Sequence, residues 1–304
     1  MHLIRYAERD TWRERVGVLE DGDVLPLPEV SGFADLLRRP LSQIRSLVAR
    51  PLVTEACTLA DVLLLPPVDG RTEVWAAGVT YERSMDARIE ETTASQDVYA
   101  RVYDAERPEL FFKAPAWRTV TGGEAIGIRP DAIVTVPEPE LAMLVTTHGE
   151  VLGYTICDDV SSRDIEGANP LYLPQAKIYD GSCAIAALVR PAWEVPDAQA
   201  LGIRLVVRRD DRTLIDEQTS TARMHRRLDD LVEHLCRALT LPDGAVLATG
   251  TGLVPDLDFT LCSGDLVDIT IDEIGTLSNP AALSTTIDWL AAAADDPSLR
   301  ERSR

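Results

Sequence analysis

The sequence predicts an α+β fold in which strands predominate. From Phe111 onward, short β-type runs separated by Gly and Pro fill most of the chain, and one clear amphipathic stripe, at residues 228–239, interrupts them as a helix. The 304-residue chain is 45% hydrophobic, which is enough to build a substantial core. We therefore expect a mixed or mainly antiparallel sheet in a large β-rich domain that follows a smaller one.

The N-terminal region carries both strand and helix signals. Apolar-alternating runs at residues 1–5 and 16–25 predict strands, and Asp21-Gly22-Asp23 predicts a hairpin turn within the second run. Residues 33–47 have apolar positions at helical spacing, but Pro40 lies among them. The pattern predicts two short helices separated at that proline.

A turn-rich segment, residues 65–70, predicts the boundary between the two domains. After it come a buried strand at residues 73–78 and a polar helix at residues 84–103 that could flank a site. Further strands are predicted at residues 126–129, 133–136, 141–146, 151–157, 201–208 and 261–271. The predicted division is a small N-terminal α/β domain at 1–68, a catalytic domain at 69–290 and a charged C-terminal tail at 291–304 that we expect to fray.

Charge and composition exclude several classes of protein. With 50 acidic and 30 basic residues the formal charge is -20, which repels nucleic-acid phosphates and anionic lipid headgroups. No apolar run approaches the roughly 18 residues needed to span a bilayer. Charged residues stand near the N-terminus, where a signal peptide is apolar, so we expect a cytoplasmic protein. The five scattered cysteines indicate neither a disulfide framework nor a zinc cluster.

Two acidic segments could hold a metal ion. Glu138 and Glu140 begin a predicted strand, whose two-residue period puts both carboxylates on one face, where a divalent cation would relieve their repulsion. Asp158 and Asp159 end a buried run, and alternation lets only one of them face the same way. Three such carboxylates would suit magnesium, manganese or calcium. The alternative for Glu138 and Glu140 is an exposed acidic strand end.

The chain contains 28 arginines but only two lysines, Lys113 and Lys177. Both lie among apolar and aromatic residues, and lysine, unlike arginine, can lose its proton. A buried lysine near a metal could therefore serve as a base or proton shuttle. The alternative is a structural ion pair with Glu109 or Asp180.

The Thr-Gly-Thr-Gly turn at residues 249–252 could hold a carboxylate through its N–H groups and a hydroxyl. It lacks the G-x-G-x-x-G pattern of dinucleotide sites, and alone it could be an ordinary tight turn. The chain also lacks the G-x-S-x-G pattern of serine hydrolases. The four histidines have no metal-ligand spacing, so we expect them to be surface or packing residues.

Taken in order and spacing, four features resemble the fumarylacetoacetate hydrolase superfamily: residues 137–140, residues 158–164, Lys177 and the turn at 249–252. The resemblance implies a β-roll catalytic domain that binds one divalent metal, most simply Mg²⁺, with Mn²⁺ or Ca²⁺ as alternatives. It also implies assembly as a homodimer or homotetramer. The metal ligands that it implies are Glu138, Glu140 and Asp159.

Within the family, the C–C hydrolases typically carry G-x-N-Y-x-x-H-x-x-E. Here Ser84 and Ala87 stand where the histidine and glutamate would be, which removes the general base of a hydrolase. Residues 78–84, 109–113 and 166–177 are instead similar to the branch that includes 2-keto-3-deoxypentonate dehydratases.

The resemblance to that branch implies loss of water from a 2-keto-3-deoxypentonate to give 2-oxoglutarate semialdehyde. Lys177 would remove a C3 proton, and Glu109, or a water in the metal site, would protonate the departing C4 hydroxyl. The substrate would be held by Arg83, Ser84, Lys113 and Thr251. Two alternatives remain: an acylpyruvate or fumarylpyruvate type of C–C hydrolase, and a non-catalytic protein that binds a sugar acid or a metal.

Overall fold

A computed structural model describes residues 1–84 and 101–304. The polar helix predicted at residues 84–103 therefore lies mostly outside the described residues. Within the described ranges, no helix has the length and apolar character required to cross a membrane.

The N-terminal region forms two hairpin-connected strands, two short helices and further short strands. The predicted hairpin turn and the predicted break between two short helices are both confirmed. Asp21 and Gly22, at φ 52° and 94°, form the two-residue turn of the hairpin, and Pro40 precedes the second helix. The elements are β1 (His2–Glu8), β2 (Glu14–Glu20), β3 (Asp23–Pro26), α1 (Phe33–Leu37), α2 (Leu41–Val48), β4 (Cys57–Thr58) and β5 (Val62–Leu65).

The rest of the described chain is dominated by strands, as predicted. The strands are β6 (Glu73–Gly78), β7 (Glu109–Pro115), β8 (Ile126–Ile128), β9 (Thr135–Val136), β10 (Pro139–Val145), β11 (Val151–Asp159), β12 (Ser161–Ser162), β13 (Cys183–Ile185), β14 (Leu188–Pro191), β15 (Gly202–Arg209), β16 (Arg212–Ser220), β17 (Ala245–Ala248), β18 (Leu266–Ile271) and β19 (Gly275–Leu283). The helices are α3 (Arg163–Ala168), α4 (Leu173–Lys177), α5 (Leu228–Cys236) and α6 (Ser298–Arg302). Single 3-10 turns lie at Val53–Glu55, Leu59–Asp61, Ala116–Arg118, Pro170–Tyr172, Ala192–Glu194, Thr221–Arg223, Ser284–Thr286 and Ala292–Ala294.

The described strands form three sheets. The large sheet has the order β4-β3-β2-β1-β14-β11-β10-β17-β6-β7, with β5 beside β1 and β13 beside β11. The second sheet has the order β16-β15-β18-β19-β8, and β9 pairs with β12. Pairing is antiparallel except between β17 and β6 and between β19 and β8. The mixed, mainly antiparallel arrangement predicted from the sequence is thus confirmed.

Strand β10 lies at the centre of the core. Its side chains alternate between two hydrophobic clusters: Leu141 and Met143 pack with the second sheet, while Ala142 and Leu144 share a cluster with Phe33 of α1. Every residue of β10 is buried, because both faces of the strand are covered.

Strands from both sides of the predicted domain boundary belong to one sheet. Leu3 of β1 pairs with Val189 of β14, which joins the N-terminal strands to β11 and β10. The regions before and after residue 68 thus share a sheet and a hydrophobic cluster. The domain boundary there stays a prediction.

The expectation that the C-terminal tail frays is wrong for α6. Arg300 of α6 is buried, and its guanidinium donates to Glu124 Oε2 at 2.8 Å and to the Thr119 carbonyl at 3.2 Å. A buried carboxylate at Glu124 needs such a partner, and this ion pair fixes the last described helix against the body of the protein.

Candidate metal centre and active site

The pairing of β10 with β11 brings three predicted carboxylates together. Cys157 lies opposite Glu140, and the two-residue period then places Glu138 and Asp159 on that same face. One oxygen from each of Glu138, Glu140 and Asp159 lies within 4.8 Å of the other two, and all three side chains are buried. Asp158, on the opposite face, instead accepts a hydrogen bond from the Glu138 N–H at 2.9 Å.

The surroundings of these carboxylates favour a bound cation. Burial, together with the negative charges of Asp159 and Glu138, raises the pKa of Glu140 well above its usual range. Burial also tends to raise the pKa of Asp159, but Lys113 and Lys177 outweigh it and lower that pKa. Three buried carboxylate oxygens on one face form the all-oxygen donor set that Mg²⁺ and Ca²⁺ prefer. The residues present therefore fit a divalent cation.

Lys177 is the last residue of α4, and its side chain extends into the carboxylate cluster. Its Nζ donates to Glu138 Oε2 at 2.6 Å, to Asp159 Oδ2 at 3.1 Å and to Ser161 Oγ at 2.5 Å. The side chain is 1% exposed, and Nζ lies 5.6 Å from the centre of the Phe111 ring. Its ammonium offsets part of the negative charge that the cluster concentrates.

Lys113, in β7, lies behind the cluster rather than in it. Its fully buried Nζ forms an ion pair with Asp159 Oδ1 and donates to the carbonyls of Lys177 at 2.6 Å and Val160 at 3.1 Å. Lys113 does not line the pocket above the carboxylates, among the residues described. The partner of Lys113 is therefore Asp159, whereas the structural alternative considered from the sequence was Glu109 or Asp180.

Several predicted residues line one small pocket over the carboxylates. The lining comprises Glu138, Glu140, Asp159, Lys177, Thr251, Ser84, Ala77, Gly78, Val79, Phe111, Gly250 and Val254. The hydroxyl of Ser84 donates to the Tyr81 carbonyl at 2.7 Å. The hydroxyl of Thr251 bonds to the backbone of Leu253.

The Thr-Gly-Thr-Gly turn contributes to the cluster in a way that the sequence did not predict. The N–H of Gly250 donates to Glu140 Oε2 at 2.7 Å, so it orients one of the carboxylates. Gly250 has φ +89°, and a Cβ there would overlap Thr80 Oγ1. Glycine is required at this position because both the backbone conformation and the space exclude a side chain.

Glu109 and Arg83 lie at the periphery of this pocket. Glu109 begins β7 opposite Gly78, and its carboxylate occupies the space that a Cβ at position 78 would fill. Glu109 also lines an adjoining cleft of about 290 Å³. The guanidinium of Arg83 lies 3.4 Å from Asp256 Oδ1 and 3.5 Å from the Val254 carbonyl, in the segment that follows the turn. Ala87 lies outside the described residues.

Two buried charged residues near the cluster, Arg163 and Glu166, were not predicted as site residues from the sequence. Arg163 Nη1 lies 3.6 Å from Glu138 Oε1, and Glu166 Oε1 lies 3.9 Å from Lys177 Nζ. The two face each other across one turn of α3, with Arg163 Nε 3.9 Å from Glu166 Oε2. Their spacing of three residues, directly after the acidic pair, was the available signal.

Comparison with known proteins identifies the family. The family model described as "Fumarylacetoacetate (FAA) hydrolase C-terminal" matches residues 74–282. The chain belongs to the fumarylacetoacetate hydrolase family. Its carboxylate cluster, Lys177 and the 249–252 turn all fall within the matched residues of this fumarylacetoacetate hydrolase family member.

Relatives within the fumarylacetoacetate hydrolase family carry dehydratase names. The chain is 45% identical over 263 residues to a probable 2-keto-3-deoxyxylonate dehydratase of Haloferax volcanii, covering 85% of this chain and 89% of that one. It is 44% identical over 223 residues to the 2-dehydro-3-deoxy-D-arabinonate dehydratase of Saccharolobus solfataricus, covering 72% of this chain and 74% of that one.

A solved structure of 2-keto-3-deoxy-D-arabinonate dehydratase, complexed with magnesium and 2,5-dioxopentanoate, is also similar. It superposes with a TM-score of 0.80 at 35% identity and covers 93% of this chain and 99% of that one. This similarity extends the match in fold beyond residues 74–282 to nearly the whole chain.

Proposed function

We propose that this chain is a metal-dependent dehydratase that converts a 2-keto-3-deoxypentonate into 2-oxoglutarate semialdehyde (2,5-dioxopentanoate) and water. The observation that carries the proposal is Lys177 Nζ within 2.6 Å of Glu138 and 3.1 Å of Asp159, inside one pocket with Glu140. A base next to a site for a divalent cation suits removal of a proton beside a carbonyl. The names of the relatives support the dehydratase reaction and the class of substrate.

Glu138, Glu140 and Asp159 would hold the ion, and the magnesium in the similar structure supports Mg²⁺. When bound, the cation supplies Lewis acidity to the 2-keto group of the substrate. The formal charge of -20 opposes an anionic substrate, so Arg163 adds local positive charge beside the ion, while Lys177 acts in its neutral form as the base.

Two side chains of the protein would move the protons of the dehydration. Lys177 takes a proton from C3, and its hydrogen bonds to Glu138 and Ser161 fix the direction of its Nζ. Glu109 donates a proton to the C4 hydroxyl as it leaves. Gly78 permits this arrangement, because its missing side chain gives the Glu109 carboxylate access to the pocket wall.

Binding of the substrate would use Thr251 and Ser84, which line the pocket, and Arg83 at its edge. Lys113 takes a different role from the substrate contact predicted from the sequence. Its Nζ is enclosed by Asp159 and two main-chain carbonyls, so we assign it as a positioning residue for Asp159 and for the Lys177 backbone. Assembly as a homodimer or homotetramer remains part of the proposal, on the family resemblance.

The decisive experiment is an assay of the purified protein with Mg²⁺ on 2-keto-3-deoxypentonates and acylpyruvates, with trapping of the semialdehyde. We expect semialdehyde from at least one pentonate and no cleavage of acylpyruvates. The reverse outcome would assign the protein to the C–C hydrolases, and no turnover of either class would favour a binding protein.

Two variants test the assigned residues in the same assay. Lys177→Arg should lower turnover at least 100-fold, because arginine retains the charge but does not give up its proton. Glu140→Gln should abolish Mg²⁺ binding measured by calorimetry. Asp180→Asn, at a half-exposed carboxylate three residues from Lys177, is the matched control and should retain both properties.

A further inference from the structure

Dehydration alone does not yield the semialdehyde, so the proposed function requires a second proton transfer. Loss of the C3 proton and the C4 hydroxyl leaves a 5-hydroxy-2-oxo-3-pentenoate, which is an isomer of 2,5-dioxopentanoate. To interconvert them, a proton must leave C5 and another must be added at C3. The resulting C4–C5 enol then becomes the aldehyde when C4 gains a proton and the C5 hydroxyl loses one. This inference rests on the proposed function.

The structure places a further buried carboxylate, outside the three-carboxylate cluster, close to Lys177. Glu166 is 1% exposed, and its Oε1 lies 3.9 Å from Lys177 Nζ. Glu166 and Glu109 both line the cleft of about 290 Å³, whose other lining residues include Pro108, Pro170 and Leu173. Two contacts connect the linings of the two cavities: Glu109 of the cleft lies against Gly78 of the pocket, and Glu166 of the cleft lies beside Lys177 of the pocket.

A substrate that extends from the pocket into the cleft would meet these groups in the order of its carbons. The carboxylate and keto end would lie at Glu138, Glu140 and Asp159, with C3 at Lys177 and C4 at Glu109. The C5 end then enters the cleft, where Glu166 is the next carboxylate. The neighbouring Arg163 Nε, 3.9 Å from Glu166 Oε2, offsets the charge of this carboxylate.

We propose that Glu166 is the catalytic base of this second transfer. It takes the C5 proton, the C5–H electron pair becomes the C4–C5 double bond, and the former C3–C4 double-bond pair accepts at C3 the proton that Lys177 holds. Protonated Glu166 then delivers its proton to C4, while the hydroxyl proton of C5 returns to Glu109. Lys177, Glu109 and Glu166 thereby regain their starting protonation, and no further reactant is required.

The first test compares substrate consumed with semialdehyde formed in Glu166→Gln, using proton NMR of the mixture. We expect the variant to consume the pentonate and release the unsaturated acid, recognised by its vinyl protons, with at least a tenfold lower ratio of semialdehyde to substrate consumed. Glu166→Asp should restore part of that ratio. Glu233→Gln, at an exposed carboxylate of α5, is the control and should match the wild type. A wild-type ratio in Glu166→Gln would overturn the assignment.

The second test supplies the unsaturated acid directly, so it remains decisive if Glu166→Gln no longer dehydrates the pentonate. We expect the wild type to accelerate formation of the semialdehyde from this acid at least tenfold over buffer, and Glu166→Gln to give the buffer rate. Equal acceleration by both proteins, or none by the wild type, would refute a role for Glu166. Failure of the proposed function is distinct, since the wild type would then leave the pentonate unconsumed.

Discussion

At the residue scale, Lys113 shows how a buried charge can support a site without touching its ligand. Its ammonium pairs with Asp159 and also holds the carbonyls of Val160 and Lys177. One side chain thus connects a candidate metal ligand to the backbone of the candidate base. The three contacts converge on one compact ammonium in a closed space, which the larger planar group of arginine does not reproduce.

Lys113→Met should therefore destabilise the metal-free protein, because Asp159 and two buried carbonyls lose their partner. We expect a loss of about 3 kcal/mol in the free energy of unfolding. Mg²⁺ should raise the melting temperature of the variant more than that of the wild type, since the cation replaces the lost positive charge beside Asp159. Calorimetric melting with and without Mg²⁺ measures both effects, and equal melting temperatures of the two metal-free proteins would contradict the prediction.

Gly78 is a second residue whose identity controls a neighbour. A Cβ at position 78 would overlap the carboxylate of Glu109, so Gly78→Ala should displace that group. We expect kcat to fall at least tenfold while Mg²⁺ affinity stays unchanged, because the three proposed metal ligands lie outside β6. Gly122→Ala is the control, since the nearest atom to a Cβ there is 3.9 Å away. Steady-state kinetics and calorimetry together separate this effect from loss of the metal.

At the element scale, α1 depends on a residue far away in sequence. Gly32 precedes the helix and offers no side-chain oxygen, whereas Asp69 accepts hydrogen bonds from the N–H groups of Phe33 at 2.8 Å and Ala34 at 2.6 Å. Asp69 therefore caps the N-terminus of α1, although it lies 36 residues after Phe33 in the chain.

Asp69→Ala should lower the free energy of unfolding by about 1 to 2 kcal/mol, because two helix N–H groups lose their acceptor. Dehydratase activity per folded molecule should be retained, since Asp69 is not among the described residues that line the pocket over the carboxylates. Urea unfolding gives the change in stability, with Glu29→Ala, at an exposed position near α1, as the control. An unchanged unfolding midpoint would show that α1 does not need this cap.

Local sequence patterns correctly predicted those features of each element that depend only on residues close together in the chain. The two-residue period placed Glu138 and Glu140 on one face, and Pro40 marked the break between α1 and α2. Alternation alone left Asp158 and Asp159 equivalent. The register of β11 on β10 decides between them, and that register is set by pairing across a connection rather than by local sequence.

The contacts of Lys113 and Glu166 were not predictable in this way. Lys113 Nζ meets the Lys177 carbonyl 64 residues later, and Glu166 meets Lys177 only because α3 and α4 pack against each other. Such contacts depend on the path of the chain in three dimensions, for which a single sequence contains no periodic signal.

At the scale of the whole molecule, Asp243 joins distant segments before β17. It accepts from Arg38 Nη2 at 2.7 Å and from the Arg71 N–H at 2.8 Å. Burial alone would raise the pKa of Asp243, but the hydrogen bonds from Arg71 and Arg38 outweigh it and lower the pKa to about 2. The carboxylate therefore stabilises the fold at any pH above its ordinary pKa.

Asp243→Asn should lower the free energy of unfolding by about 1 kcal/mol at pH 7, a modest value because both arginines are largely exposed to solvent and salt. The difference from the wild type should shrink as pH falls from about 4 to about 2, where the native carboxylate takes up its proton. Urea titrations of both proteins across that pH range measure this difference in the free energy of unfolding. Asp216→Asn, at an exposed pair with Arg204, should have little effect at any pH, and a constant difference for Asp243→Asn would contradict the prediction.

The pairing of β1 with β14 also has a consequence during synthesis on the ribosome. Leu3 and Ile4 pair with Val189 and Leu188, so this end of the first strand waits for a partner made far later, although β5 pairs early with residues 5–8 of the same edge. At about 5 to 20 residues per second, this interval lasts on the order of 10 to 40 seconds. An apolar strand edge left open for that time is a template for misassociation between nascent chains. We therefore expect soluble yield to rise with slower growth or added chaperone.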